Sequence, residues 1–278
     1  MRTRIFLLCV ILLGSFGIGG VQAQEVAYKS LTYKSVGATD LEMRIYSPDR
    51  EKFEGARPAI VFFFGGGWVS GTITQFERQA EALCELGMVA VLADYRVANR
   101  QGTTPYECVK DAKSAVRYVR ANAVALSVDP DRIATSGGSA GGHIATATAL
   151  IESYNEESDD LSVSCVPNAL VLFNPVVDNG PAGYGYERIG DNYKDFSPLH
   201  NIDSKTPPTL FMVGSQDDLI PVEMARYFAK SIERVGGRCD LTIYEGQKHG
   251  FFNGEAYKLV TLERAIEFLK SLEYILSD

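Results

Sequence analysis

Three histidines and one tryptophan in 278 residues leave little room for imidazole or indole chemistry. Any general base built on imidazole must be His143, His200 or His249. The five cysteines, Cys9, Cys84, Cys108, Cys165 and Cys239, are widely separated. That spacing excludes a disulfide-dense scaffold and fits no zinc-ligand pattern, and no metal or cofactor motif is present. Beyond Cys9, the four thiols read either as buried and free or as containing one bridge. Positive charge is also short: 27 Lys and Arg against 35 Asp and Glu give a net charge of −8. Without a basic cluster, nucleic acid and anionic membranes are poor partners.

Long apolar runs are missing except at the start. Arg2 and Arg4 precede an apolar stretch over residues 5–13, then a Gly-rich stretch and Val21-Gln22-Ala23. This basic, apolar, small-residue order predicts a secretory leader cleaved after Ala23. A retained anchor is the alternative, but the run is short for a span, so no stable membrane insertion is expected after cleavage. The expected location is secreted or periplasmic, with residues 24–278 as one domain. Losing Arg2 and Arg4 would take the net charge from −8 to −10. Oligomeric state has no signature here.

What is present is alternation. Residues 26–34 and 41–46 alternate apolar and polar side chains, predicting two antiparallel edge strands. Residues 59–64, AIVFFF, form a continuous apolar run of the kind buried on both faces of a sheet. Further strands are expected at 88–93, 132–135, 169–173, 209–213 and 241–244. Helices are expected at 76–86, 106–123, 140–153, 222–235 and 255–276. Strands alternating with helices predict an α/β fold with a mostly parallel sheet of about eight strands covered on both faces. Ligands of such sheets bind beyond the carboxyl ends of the strands. Residues 178–205 break the rhythm and read as a long loop, with a lid or a passive surface insertion as the alternatives.

The unusual residues fall where that rule places chemistry. The strand at 132–135 runs into Gly137-Gly138-Ser139-Ala140-Gly141 ahead of a helix. A serine lifted from a sheet by a sharp turn needs small neighbours two residues to either side. A phosphate-cradling loop is the alternative, but no Lys follows to complete it. Serine is a weak nucleophile without a base. His249 follows the last strand and can reach across the sheet top. His143, in the helix after Ser139, is a candidate for the pocket wall or for packing. An acid must fix the imidazole tautomer. Asp217 and Asp218 follow the strand at 209–213; Asp217 is favoured, with Asp218 as turn or cap. Phe64-Gly65-Gly66-Gly67-Trp68 follows the AIVFFF strand. Glycines let backbone amides approach a substrate oxygen. The amides of Gly66, Gly67 and Ala140 are the expected oxyanion hole, each donor worth about 3–4 kcal/mol in such sites. Trp68 is a second candidate for the pocket wall, with packing as its alternative. Tyr184, Tyr186 and Tyr193 are candidates for stacking on sugar rings or for loop packing.

The order Ser139, Asp217, His249 and the glycine loop resemble the HGGG-type esterase/lipase branch of the α/β-hydrolases, in an FGGGW variant. Ala93-Asp94-Tyr95-Arg96, Asp129-Pro130-Asp131-Arg132-Ile133 and Ser197-Pro198-Leu199 extend the resemblance along most of the chain. Within the branch the chain is similar to small bacterial acetyl and carbohydrate esterases. The resemblance implies hydrolysis of short-chain carboxylic esters of small molecules or carbohydrates, through an acyl-enzyme and without a cofactor. Amidase or peptidase activity of the arylformamidase or prolyl-peptidase kind is the alternative on the same fold, and a non-catalytic binding protein is a third reading. The family has His where this chain has Phe64, which leaves open what orients the glycine loop.

Overall fold

The computed structural model describes residues 27–276. The segment expected to be a leader, residues 1–23, lies outside the described residues. No helix among the described residues is long and apolar enough to cross a membrane.

The described residues build one eight-stranded sheet. Its strands are β1 (Tyr28–Val36), β2 (Thr39–Tyr46), β3 (Arg57–Phe63), β4 (Val89–Ala93), β5 (Val128–Gly138), β6 (Ala169–Phe173), β7 (Thr209–Gly214) and β8 (Cys239–Tyr244), in the order β1-β2-β4-β3-β5-β6-β7-β8. β1 pairs with β2, and β2 with β4, in antiparallel fashion. From β4 to β8 every pair is parallel. The mostly parallel sheet expected from the sequence is therefore present, with the antiparallel strands at one end.

The continuous apolar runs have two faces to fill. Ala59, Val61 and Phe63 of β3 join a core with Val109, Val116, Ile144 and Phe228. These side chains come from α2 (Pro105–Ala121), α3 (Ala140–Leu150) and α4 (Val222–Arg234). Ile60 and Phe62 point the other way, to Leu83 of α1 (Glu77–Glu85) and Leu262 and Phe268 of α5 (Glu255–Ser271). Successive strand residues face opposite sides, so a run without polar gaps is what a sheet buried on both faces requires. Thr104 and Glu107 form a capping box at the start of α2, next to Pro105 at its first position.

Two sequence expectations change. β5 is longer than the four residues of its apolar core and runs through Gly138, up to the turn. The 178–205 segment is not a bare loop. It folds into short helical pieces, Tyr186–Ile189, Gly190–Asn192, Tyr193–Phe196 and Pro198–Asn201, each too short to show a helical period. The four cysteines beyond Cys9 are all free, which settles the choice left by their spacing.

Candidate active site

Ser139, Asn174, Asp217, His249 and the glycine loop all lie just past the carboxyl ends of parallel strands. Ser139 sits between β5 and α3 with φ 53° and ψ −119°, a left-handed conformation uncommon for a side chain with a Cβ. The turn is tight enough to forbid larger neighbours. A Cβ on Gly141 would lie 2.2 Å from the Phe63 carbonyl oxygen, and one on Gly137 would lie 2.4 Å from the Gly141 carbonyl carbon. That is the physical content of the glycines two residues either side of the serine. The turn is held by the Ser139 amide donating to Phe173 O at 3.0 Å and the Val176 amide donating to Ser139 O at 3.1 Å.

Ser139 Oγ lies 2.9 Å from His249 Nε2. The other ring nitrogen, Nδ1, is 3.0 and 2.9 Å from the two carboxylate oxygens of Asp217. A carboxylate can only accept, so Nδ1 carries the hydrogen and Nε2 is left as the acceptor for the serine hydroxyl. The Asp217 side chain is fully buried, and its Oδ1 also accepts the amides of Leu219 at 2.9 Å and Ile220 at 2.8 Å. Those two bonds fix the carboxylate beneath the imidazole. They also make Asp217 the turn-forming residue, a part the sequence reading gave to Asp218, which is exposed. The acid loop and the histidine loop are laced together: Gln216 N donates to Gln247 O at 2.9 Å and Gly246 N to Ser215 Oγ at 2.8 Å. Gly214 lies so close to Gln247 that a Cβ there would meet its carbonyl oxygen at 2.2 Å.

Gly66 and Gly67 have φ of 130° and 64°, open to glycine at little steric cost. Both line a cavity of about 400 Å³ with Ser139 and His249. Ala140 opens α3, where amides have no intrahelical acceptor. The question left by Phe64 has a structural answer. Phe64 stacks on Tyr95, ring centroids 4.1 Å apart, and Tyr95 Oη donates to Phe64 O at 2.6 Å. Arg96, the next residue, is tied to buried Asp111 of α2 by bonds of 2.7 to 2.9 Å. The Asp-Tyr-Arg run thus anchors the base of the glycine loop. Gln75 holds its flank, with Oε1 accepting the Gly65 amide at 2.6 Å.

Two pocket-wall candidates are corrected. Trp68 is 1% exposed and packs edge-on to His143, under Tyr184. His143 is fully buried, stacked on Phe196, with Nε2 3.1 Å from the Phe196 carbonyl oxygen. Burial pushes its pKa down to about 4, so the ring is neutral above that pH. Both side chains point into the core below the cavity, a direction that neighbourhood to the motifs cannot reveal. Of the three tyrosines singled out in the 178–205 segment, Tyr184 lines the cavity. Tyr186 and Tyr193 pack on each other, centroids 5.9 Å apart.

Sequence reasoning missed three polar residues of the cavity wall, Gln75, Asn174 and Asn253. Asn174 Oδ1 accepts the Gly250 amide at 3.3 Å, next to His249. Gln75 Nε2 donates to Asn253 Oδ1 at 3.2 Å, and Asn253 Nδ2 to Gly250 O at 3.0 Å. A chain of carboxamides therefore joins the glycine loop to the histidine loop across the cavity mouth. The one legible signal was the position of Asn174 directly after a buried strand. A wider groove of about 560 Å³ at the amino ends of β3, β4 and β5 contains neither Ser, His nor Asp of this constellation. Among the described residues no group of three or more His, Cys, Asp or Glu is arranged to hold a metal ion.

Two family models match the chain: BD-FAE over residues 43–183 and the dienelactone hydrolase family over residues 170–271. The apo form of Thermogutta terrifontis esterase 2 is 41% identical, covers 92% of this chain and 98% of its own, and superposes with a TM-score of 0.87. The propionate-bound form of that esterase is 40% identical over 90% of this chain and 96% of its own, with a TM-score of 0.85. A probable carboxylic ester hydrolase of Mycobacterium tuberculosis, LipM, is 30% identical over 65% of this chain and 46% of its own length. The chain spans about half the length of the curated relatives it matches. Given the sheet order, the serine turn and these matches, the chain belongs to the BD-FAE family of α/β-hydrolase fold esterases.

Proposed function

We propose that this protein is a serine esterase that hydrolyses short-chain carboxylic esters, with Ser139, His249 and Asp217 as catalytic residues. The observation that carries this reading is the unbroken hydrogen-bond chain from Ser139 Oγ through His249 to buried Asp217. His249 Nε2 takes the hydroxyl proton as Oγ attacks the ester carbonyl. The carbonyl oxygen gains the negative charge and is met by the amides of Gly66, Gly67 and Ala140. Collapse breaks the bond to the alcohol, which leaves with the proton from Nε2. The acyl group then sits on Oγ. Water attacks it, again giving its proton to Nε2, and the acid departs with Ser139 restored.

The size of the cavity and its Val69, Leu219 and Phe252 walls support a short acyl group, as does the binding of propionate and butyrate by the Thermogutta esterase. The carboxamides of Gln75, Asn174 and Asn253 support an alcohol rich in hydroxyls, such as an acetylated sugar, because hydrogen-bonding walls discriminate against groups that leave them unpaired. Export is part of the reading, supported by the basic, apolar and small residues of 1–23 in that order; amino-terminal sequencing of the mature protein should start at Gln24.

The test is a panel of p-nitrophenyl esters of increasing acyl length, acetylated xylan and an aminoacyl amide, run on the wild type and on Ser139→Ala. Acetate, propionate and butyrate esters should be cleaved fastest, and Ser139→Ala should lose activity on all of them. Faster turnover of the amide would replace the esterase reading by the amidase one. Activity surviving in Ser139→Ala would remove the catalytic assignment.

A further inference from the structure

Arg188, in the lid helix Tyr186–Ile189, reaches back across the site: its Nη1 donates to the carbonyl oxygen of Gly67. Three consecutive residues of the glycine loop, Gly66, Gly67 and Trp68, have positive φ, at 130°, 64° and 59°. A backbone with two glycines in this region has little intrinsic preference for one peptide orientation. A flip of the Gly65–Gly66 or Gly66–Gly67 peptide would turn the oxyanion amides away from Ser139, and a loose Gly67–Trp68 peptide next to them would make such a flip easier. Each carbonyl along the loop that has a partner is therefore informative. Phe64 O accepts from Tyr95 Oη, and Gly66 O from the amides of Val69 at 3.0 Å and Ser70 at 3.1 Å. Trp68 O and Val69 O accept the amides of Ala98 at 3.0 Å and Asn99 at 2.9 Å. Gly67 O alone in this series is held by a charged side chain, and by one that belongs to the lid.

That side chain is itself fixed. The guanidinium lies 5.2 Å from the ring centroids of both Trp68 and Tyr184, within cation–π range of each. Its Nε donates to Glu187 Oε1 at 3.0 Å. Gly185 packs flat on the indole, where a Cβ would come within 2.8 Å of Trp68 Cζ3. The Tyr184 hydroxyl lies 2.8 Å from where a Gly67 Cβ would stand. Lid and glycine loop thus interlock at the Gly67–Trp68 peptide, the one that directly follows the two peptides supplying the oxyanion amides.

We propose that Arg188 is a positioning residue for the oxyanion hole, pinning the Gly67–Trp68 peptide so that the Gly66 and Gly67 amides stay aimed at the developing negative charge. The proposal rests on the serine-esterase reading. It assigns to a lid cation, together with the Phe64–Tyr95 stack, the orienting work that the His of the HGGG motif has in the wider branch. Because the stabilised charge exists only in the transition state, losing Arg188 should lower kcat and leave KM nearly unchanged. A residue that merely shaped the lid would move KM instead.

The experiment compares wild type, Arg188→Met, Arg188→Gln and Arg188→Lys by steady-state kinetics on p-nitrophenyl acetate and by the second-order rate of inactivation with a fluorophosphonate. The phosphonyl oxygen occupies the oxyanion hole, so the second readout needs no knowledge of the natural ester. Arg188→Met should lose about ten-fold in kcat and in inactivation rate with KM within about two-fold, less than the roughly hundred- to thousand-fold cost of removing an oxyanion donor outright, because the amides are misaligned and not lost. Arg188→Lys should return to within about three-fold of wild type, because an ammonium on a long stem still donates to a carbonyl. Should Arg188→Met not fold, Gln against Lys decides: Gln, shorter and neutral, should stay slow while Lys recovers. Equal rates for Gln and Lys, a Met variant as fast as wild type, or a change in KM alone would overturn the proposal. A wild type that takes no label would instead bring down the serine-esterase reading, and this inference with it.

Discussion

Asp217 and Asp218 are neighbours of identical chemistry, and only one of them has the imidazole above it. The chain path after β7 decides the matter. It turns the Asp217 carboxylate inward onto two amides and His249 Nδ1, and leaves Asp218 in solvent. An Asn at 217 would present an amide to Nδ1 and favour the wrong tautomer. Asp217→Asn should therefore lose about a thousand-fold or more in kcat, while Asp218→Asn stays within about two-fold. Steady-state kinetics on p-nitrophenyl acetate at pH 8 would check both, and equal losses would contradict the assignment. Ser139 and His249 were legible because each stands in a distinctive place: the serine between spaced glycines at a strand end, and a histidine, one of three in the chain, after the last strand. Arg188 and Gln75 were illegible for the opposite reason. They are ordinary polar residues of aperiodic segments, and their significance lies in a reach across the sheet top that linear spacing does not encode. Trp68 and His143 misled because adjacency to a motif says nothing about which way a side chain points.

The strand–turn–helix unit of β5 and α3 is where sequence pattern and geometry agree most closely. Its glycines are needed for contact distance as much as for backbone freedom. Gly141 faces the carbonyls of Phe63 and Phe64, which a Cβ would approach to 2.2 and 2.3 Å. Those carbonyls belong to the end of β3 and the start of the oxyanion loop, so nothing there yields cheaply. Gly141→Ala should cost about 3 kcal/mol or more and lower Tm by about 6–12 °C for a domain of this size. Calorimetry on the purified variant would show it. An unchanged Tm would mean that the unit is looser than its contacts imply. The long strands and helices were legible because a period of two or three to four residues repeats within each. The short helical pieces of 178–205 were not, since a four-residue helix contains barely one turn and its placement is decided by tertiary partners such as Ser197 Oγ, which accepts the Asn179 amide at 2.8 Å.

At the scale of the whole molecule, the fold carries a neutral imidazole in its core, and stability should report it. Burial, only partly offset by the Phe196 carbonyl, holds His143 at about 4 in the folded chain, against an ordinary 6.5. Between those values the unfolded chain binds a proton that the folded chain does not. The stabilisation from burying this ring is complete above pH 6.5 and is lost as pH falls towards 4, by up to about 3 kcal/mol. His143→Gln has no such titration. The gap in unfolding free energy between wild type and this variant should therefore narrow by about 2–3 kcal/mol from pH 7 to pH 4 in urea titrations. A constant gap would mean that the ring is solvated or already charged. The loss concerns stability, because the His143 ring is bonded to the Phe196 carbonyl and is not part of the cavity lining.

The catalytic account depends on one covalent event at the top of the sheet, and it can be caught. Turnover of p-nitrophenyl acetate quenched in acid within the first seconds, followed by peptide mass spectrometry, should find a single acetyl group on the peptide containing Ser139. The same adduct should be absent from Ser139→Ala and should accumulate too slowly to detect in His249→Ala. Steady hydrolysis by the wild type with no acyl group on Ser139, or an adduct on another residue that survives in Ser139→Ala, would contradict the account.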